Sequence, residues 1–429
     1  MIIAPLRLGI AGLGTVGVGV LKIINKNASL ISLRTGRDVI VTAVSARSRS
    51  KDRGINLSGL AWENDPIALA MREDVDVFVE LIGGSDGPAK DATEAAIAAG
   101  KDVVTANKAM LAVHGQSLAL AAESAGRAIR FEAAIAGGIP VVKALSEGLA
   151  GNRINRILGV MNGSCNYILT RMETSGLTYE DIFAEANALG YLEADPNLDV
   201  GGIDAAHKLA LLASIAYGTE VDFDNVVLEG IGAVTIEDIR AAADMGYRVK
   251  LLGVAQMTGR GLEQRMTPCL VPTISPLGQL EGGTNMVILE GDDSGQIVLR
   301  GAGAGEGPTA SAVISDILDL ARGLRLNTFG QPAKTLSKAH PAATTTPAPF
   351  YLRMQLLDKP GALAKIAAVM GEAGVSIDRM RQYGHDAGKA PVLIVTHKTT
   401  RAAIDQVLVD FNITKVVEGT PVALRIETA

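Results

Sequence analysis

The chain has 429 residues, with 40 basic and 46 acidic side chains, a net charge of −6 and no basic cluster, which argues against nucleic acid as a partner. That length exceeds one hydrophobic core and calls for two or three domains. Its two cysteines, Cys165 and Cys269, lie far apart, match no metal spacing and suggest a reducing compartment, with the cytoplasm as the expected location.

The N-terminus is apolar but short and carries Arg7, so it reads as a first strand and not as a signal peptide. No uncharged apolar stretch is long and helix-like enough to span a bilayer. Strand signals at 6–11, 39–46, 75–81, 102–105 and 129–132 alternate with helix signals at 16–24 and 90–99. This βαβ rhythm predicts a Rossmann-type parallel sheet over residues 1–136. From about Gly137 the pattern changes to helices mixed with strands, an α+β unit over 137–304. One of those helices, 179–189, has Thr178 as its N-cap and Gly190 as its stop. Residues 301–324 read as a glycine turn and a long helix, placed to return to the first domain near 305–328. Residues 335–350 (TLSKAHPAATTTPAPF) cannot bury a core and read as a linker. The last unit, 351–429, runs βαββαβ, the order of a ferredoxin-like fold.

Gly12, Leu13, Gly14, Thr15, Val16 and Gly17 form GLGTVG between a strand and a helix. In that context the first glycine permits the tight turn and the second lets backbone approach a pyrophosphate. The third allows close helix–strand packing. At the end of the second strand, where an acid would bind the ribose of NAD, the chain has Arg47, which suits the 2′-phosphate of NADP, the plainer alternative being a solvated basic loop. Lys108 follows the fourth strand at the carboxyl edge of the sheet, placed for a substrate carboxylate or cofactor, or simply on the surface. Glu132 precedes the glycine-rich turn AAIAGGIP, whose carbonyls could ring a hard monovalent cation, although a structural turn satisfies the same spacing. Cys165 could be a nucleophile only if an activating group adjoined it, and a buried, inert thiol is the simpler reading.

Between 195 and 208 the sequence DPNLDVGGIDAAHK crowds three aspartates and a lysine at one end of an apolar helical pattern. Asp204 and Lys208 are four apart and share one helix face. Desolvation there would lower the lysine pKa towards a range useful for proton transfer. The plainer alternative is a capped helix start with one ion pair, worth about 0.3–0.5 kcal/mol if exposed. His207 points elsewhere on such a helix and reads as structural.

Together these residues resemble the homoserine dehydrogenase family. The signature runs through Ala186, Gly190, Tyr191, Asp195, Pro196, Asp199, Val200, Gly202, Asp204 and Lys208, with Leu192 where a small residue is usual. The likeness extends to GLGTVG, TANK, EAAIAGGIP, MNGSCNYIL and GAGAGEGPTAS, and covers about the first 330 residues. It implies reversible NAD(P)-dependent interconversion of L-homoserine and L-aspartate 4-semialdehyde, on the route to threonine, methionine and isoleucine. Lys208 would move the proton, with Asp204 binding substrate or holding Lys208. Glu193 would receive the substrate amino group, supported by Asp199, and Lys108 would assist at the cofactor and substrate junction. Gly190 and Gly305 would lie near the nicotinamide. Glu132 with the carbonyls of Ile135, Gly137 and Ile139 would form a structural sodium site.

The C-terminal unit resembles an ACT domain, in which an amino acid binds near a turn like Asp358-Lys359-Pro360-Gly361, usually between two copies. That implies feedback by an effector such as threonine, and the family resemblance implies a homodimer or homotetramer. Two rival readings are a phosphorylating semialdehyde dehydrogenase using Cys165 and a non-catalytic nucleotide and amino-acid sensor.

Overall fold

The structure is a computed structural model and describes residues 3–192, 195–384 and 388–428. Strands β1 (Leu6–Ala11), β2 (Val39–Ser45), β3 (Ala61–Glu63), β4 (Val77–Glu80), β5 (Asp102–Thr105) and β6 (Ile129–Arg130) form one parallel sheet in the order β3-β2-β1-β4-β5-β6. Crossovers are made by α1 (Thr15–Thr35), α2 (Pro66–Met71), α3 (Pro88–Ala98) and α4 (Lys108–Ser124). β4 and β5 are buried at every residue, as expected of parallel strands covered on both faces. Strand order reverses beside β1, which makes the carboxyl ends of β1 and β4 the switch point where ligands of such sheets bind.

Three elements of this part, β3, α2 and α4, are absent from the sequence reading. The last strand is also shorter than expected, because Glu132 opens a 3-10 turn (Glu132–Ala134). Helix α1 runs to Thr35, well past residue 24, with non-helical angles at Asn27. Lys26 and Asn27 interrupt the apolar pattern, while Ile31 beyond them is buried. By length and composition α1 is long and apolar enough to cross a membrane. In this fold it packs on β2 and on the returning helix described below.

The chain then forms α5 (Val141–Lys143), which continues into a π-helical turn (Ala144–Gly148). Next come β7 (Ile154–Val160), α6 (Gly163–Ser175), α7 (Tyr179–Ala188), α8 (Pro196–Val200) and α9 (Ile203–Tyr217). After them come β8 (Val227–Leu228), α10 (Ile236–Asp244), β9 (Tyr247–Thr258), β10 (Gly261–Pro272), β11 (Thr284–Gly291) and β12 (Gly295–Ala302). The long strands lie antiparallel in the order β12-β11-β7-β9-β10. Helices α6, α9 and α10 pack against this sheet. Helix α11 (Glu306–Ala321) packs on α1, and Lys22 pairs with Glu306 at 2.7 Å.

Residues 335–350 are tethered, not loose. Ser337 N donates to Gly218 O, Leu262 N to His340 O, Ala342 N to Leu262 O, and Ala348 exchanges two bonds with Thr399. The C-terminal unit has the expected order β13 (Phe350–Leu357), α12 (Ala362–Glu372), β14 (Ile377–Gln382), β15 (Lys389–Thr396), α13 (Arg401–Ile413) and β16 (Val417–Ile426). Its sheet does not stand apart. β16 pairs in parallel with β10 (Cys269 with Arg425, Leu270 with Ile426), so the two sheets are continuous.

Candidate active site at the carboxyl edge of the parallel sheet

The glycine turn has the form a dinucleotide needs. Gly12 has φ 101°, and a Cβ there would meet Leu81 O at 2.2 Å. A Cβ on Gly17 would meet Gly12 O at 2.1 Å, whereas Gly14 faces open space with nothing within 4 Å. Helix α1 begins at Gly14 with no side-chain cap and no acid in its first turn, which leaves its first amides for an anion. Thr15 and Val16 open that helix, and Leu13 is buried beneath the turn. Arg47 stands exposed in the loop after β2. Sequence reasoning missed its neighbour Arg53. The Arg53 guanidinium donates to Leu13 O at 3.1 Å, and Arg49 and Arg53 both lie over Trp62, at 5.9 and 5.7 Å. Nothing local in the sequence tied Arg53 to the glycine turn.

The charged cluster is assembled from three places. α9 starts at Gly202, in the left-handed conformation (φ 82°), and carries Asp204 in its first turn and Lys208 one turn on. Both side chains are buried, Asp204 at 7% and Lys208 at 8% exposure. Lys208 Nζ donates to Asp204 Oδ2 at 2.6 Å and to Met161 O, just after β7, at 2.9 Å. The other oxygen, Oδ1, lies 2.8 Å from Nζ of Lys108, the first residue of α4. Burial alone would push the Asp204 carboxyl up. Lys208, then Lys108, outweigh it and hold the group well below the ordinary carboxylate range. The plain surface ion pair is therefore excluded, because this is a buried bridge between elements distant in sequence.

Asp195 caps α8 through the amide of Asn197 at 3.1 Å. Asp199 is buried and accepts from Asn162 Nδ2 at 3.0 Å, while Asn162 Oδ1 caps α6. Sequence reasoning did not single out Asn162 or the Met161 carbonyl. Glu193 lies outside the described residues. Gly190 is left-handed (φ 74°), and the following Tyr191 stacks on Tyr167 at 4.3 Å. Gly305 (φ 117°) precedes α11. Cys165 is buried, its thiol donates to the Asp199 carbonyl at 3.2 Å, and burial, then Asp199 and Asp204, push its pKa well up. A thiol held protonated in this way is no nucleophile. The His207 ring packs on Phe223 at 4.2 Å, and burial keeps its pKa low.

At the second expected site the Glu132 carboxylate accepts the amides of Val142 and Lys143 at 2.9 and 2.8 Å. Burial, then the charge of Asp316, raise it to about 7. Ile135, Gly137 and Ile139 follow on one turn, where Ala136 is a non-glycine residue at φ 52°. The Ile139 carbonyl also accepts the Val141 amide, at 2.8 Å. Among the described residues no group of three or more His, Cys, Asp or Glu could hold a metal. One carboxylate with backbone carbonyls is a donor set that suits only a hard, oxygen-seeking ion.

Known proteins match this chain along most of its length. A family model described as homoserine dehydrogenase, NAD binding domain, matches residues 12–132, one described as homoserine dehydrogenase matches 140–318, and an ACT domain model matches 350–410. The homoserine dehydrogenase of Neisseria gonorrhoeae is 41% identical over 432 residues, covering 99% of each chain. The chain belongs to the homoserine dehydrogenase family. Its fold is similar to the crystal structure of a homoserine dehydrogenase from Thiobacillus denitrificans, with a TM-score of 0.94 at 37% identity and 100% of both chains covered. A hyperthermophilic archaeal homoserine dehydrogenase in complex with NADPH aligns at a TM-score of 0.63 and 27% identity, over 73% of this chain and 97% of its own. As a homoserine dehydrogenase the chain is an oxidoreductase with an NAD(P)-binding domain and a C-terminal ACT domain.

Proposed function

We propose that the chain interconverts L-aspartate 4-semialdehyde and L-homoserine, in the cytoplasm, with NADP as its working cofactor. The observation that carries this is the buried Lys208–Asp204–Lys108 bridge, whose Lys108 end lies at the carboxyl edge of the sheet that bears the open glycine turn. When bound, the nicotinamide supplies or takes up the hydride. Lys208 gives a proton to the oxygen on which negative charge develops, and takes it back in the reverse direction. Asp204 orients Lys208. Both its oxygens already face lysines, which supports holding over substrate contact. Lys108 serves the cofactor and substrate junction. Glu193 takes the substrate amino group, supported by Asp199, which the Asn162 bond fixes in place.

Gly12 to Gly17 cradle the pyrophosphate, Arg47 meets the 2′-phosphate, and Gly190 and Gly305 border the nicotinamide. The oxygen-only turn of Glu132, Ile135, Gly137 and Ile139 holds a structural sodium ion, supported by a buried carboxylate beside a strained turn. The cofactor domain spans 1–136 with the helix near 305–328, the catalytic and dimerisation domain 137–304, the tether 335–350 and the regulatory domain 351–429. Threonine acts on that last domain in a homodimer or homotetramer.

The test is spectrophotometric: NADP reduction with L-homoserine, repeated with NAD and with threonine added. Turnover with L-homoserine, faster with NADP and slowed by threonine, is expected. No turnover with L-homoserine would overturn the reading.

A further inference from the structure

A cavity of about 520 Å³ opens where the regulatory strand β16 meets the catalytic strand β10. Arg265 on β10 and Arg425 on β16 both line it, although only 3% and 9% exposed. One carboxylate ties them together. Glu427 Oε1 accepts from Arg425 Nε and from Arg265 Nη2, and Arg265 Nε reaches Glu263 at 3.2 Å. Each guanidinium is thus locked along one edge. One terminal nitrogen of each, Nη1, has no hydrogen-bond partner among the described residues. Buried donors of this kind are normally satisfied, and a fixed guanidinium fork matches the geometry of a carboxylate. The remaining wall divides by chemistry. Phe350 and Leu228 are apolar, Glu229 is a carboxylate suited to an ammonium group, and Asp405 is paired with Arg401 at 2.8 Å.

We propose that this junction cavity binds a small L-α-amino acid, its carboxylate on Arg265 and Arg425, at a site separate from the turn at 358–361. The proposal rests on the reading that an amino acid regulates the enzyme, and it names where that ligand sits. Such a ligand bridges the two sheets. The route to the catalytic helix is short. Met266, next to Arg265 on β10, packs under Gly202, where α9 begins, close enough that a Cβ on Gly202 would lie 3.1 Å from its Cγ.

Isothermal titration of the full chain with L-threonine, and with L-threonine amide as a probe lacking the carboxylate, tests this. Threonine should bind, and the amide should bind at least tenfold more weakly. Arg425→Met should weaken threonine binding at least tenfold. So should Thr344→Trp, which fills the cavity from an exposed position outside the arginine cluster and leaves the melting temperature unchanged. The second variant keeps the test decisive should Arg425→Met fail to fold. If threonine affinity is unchanged in Thr344→Trp but lost in Gly361→Val, the ligand sits at the turn. That result overturns this proposal while keeping amino-acid regulation. Absence of threonine binding to the unmodified chain overturns both.

Discussion

Lys108 and Lys208 share the carboxylate of Asp204, with one ammonium 2.8 Å from Oδ1 and the other 2.6 Å from Oδ2. Two ammonium groups brought this close in a buried site would otherwise repel each other. The carboxylate between them offsets that repulsion, and the Lys208 ammonium also donates to the Met161 carbonyl.

Removing that charge should be felt at both lysines. Asp204→Asn keeps the shape and deletes the anion that both ammonium groups face, so Lys208 loses the partner that orients it. Turnover in the direction of aldehyde reduction should fall about tenfold or more, because the proton donor is no longer held in place. Breaking a buried pair also costs about 3–5 kcal/mol of stability. Steady-state kinetics and a urea titration check the two effects.

Cys165→Ser should keep nearly full turnover, since the thiol only donates to the Asp199 carbonyl and a hydroxyl can do the same. Alkylating reagents should act slowly on the folded enzyme, because the thiol is buried and held protonated. Rapid inactivation by thiol alkylation, with activity lost in the serine variant, would revive a thiolate mechanism.

The parts legible in the sequence are those whose chemistry is local. GLGTVG between a strand and a helix marks the cofactor turn, and Thr178 announces a helix start that the structure contains. The βαββαβ order of the last unit is likewise written in its turns. Tertiary packing sets the rest. Helix α4 escaped because its apolar residues do not follow one clean stripe; Met110 and Leu111, adjacent in sequence, are both buried. The Lys108–Asp204 bond, the Arg53 contact with the glycine turn and the pairing of β16 with β10 join segments far apart in sequence, where no local periodicity reports them.

Arg47 is expected to set cofactor choice. Arg47→Ala should lower kcat/KM with NADPH about tenfold or more while leaving NADH little changed, the loss of a charge-assisted contact worth about 1.5–3 kcal/mol. Equal efficiencies with both cofactors in the unmodified enzyme would remove Arg47 from this role and shift attention to Arg49 and Arg53, which lie over Trp62.

Glu132 gives a pH signature with a defined sign. Burial, then Asp316, raise its carboxyl from 4.5 to about 7, so between those values the folded chain keeps a proton that the unfolded chain has lost. Its contribution is therefore fully present below about pH 4.5 and fades as pH rises through 7, a difference on the order of 3 kcal/mol. Asp316, raised to about 6 chiefly by burial, acts in the same direction. Glu132→Gln should flatten this slope in thermal melts. Sodium, by binding the ionised form, should raise the melting temperature at pH 8 in the unmodified chain and not in the variant.

The central claim is that Lys208 moves the proton, and single-turnover and steady-state kinetics of Lys208→Ala with L-homoserine and NADP test it most directly. The expected result is a fall in kcat of about 10²–10⁴-fold, with NADPH affinity measured by fluorescence titration nearly unchanged. Turnover within a few-fold of the unmodified enzyme would contradict the account.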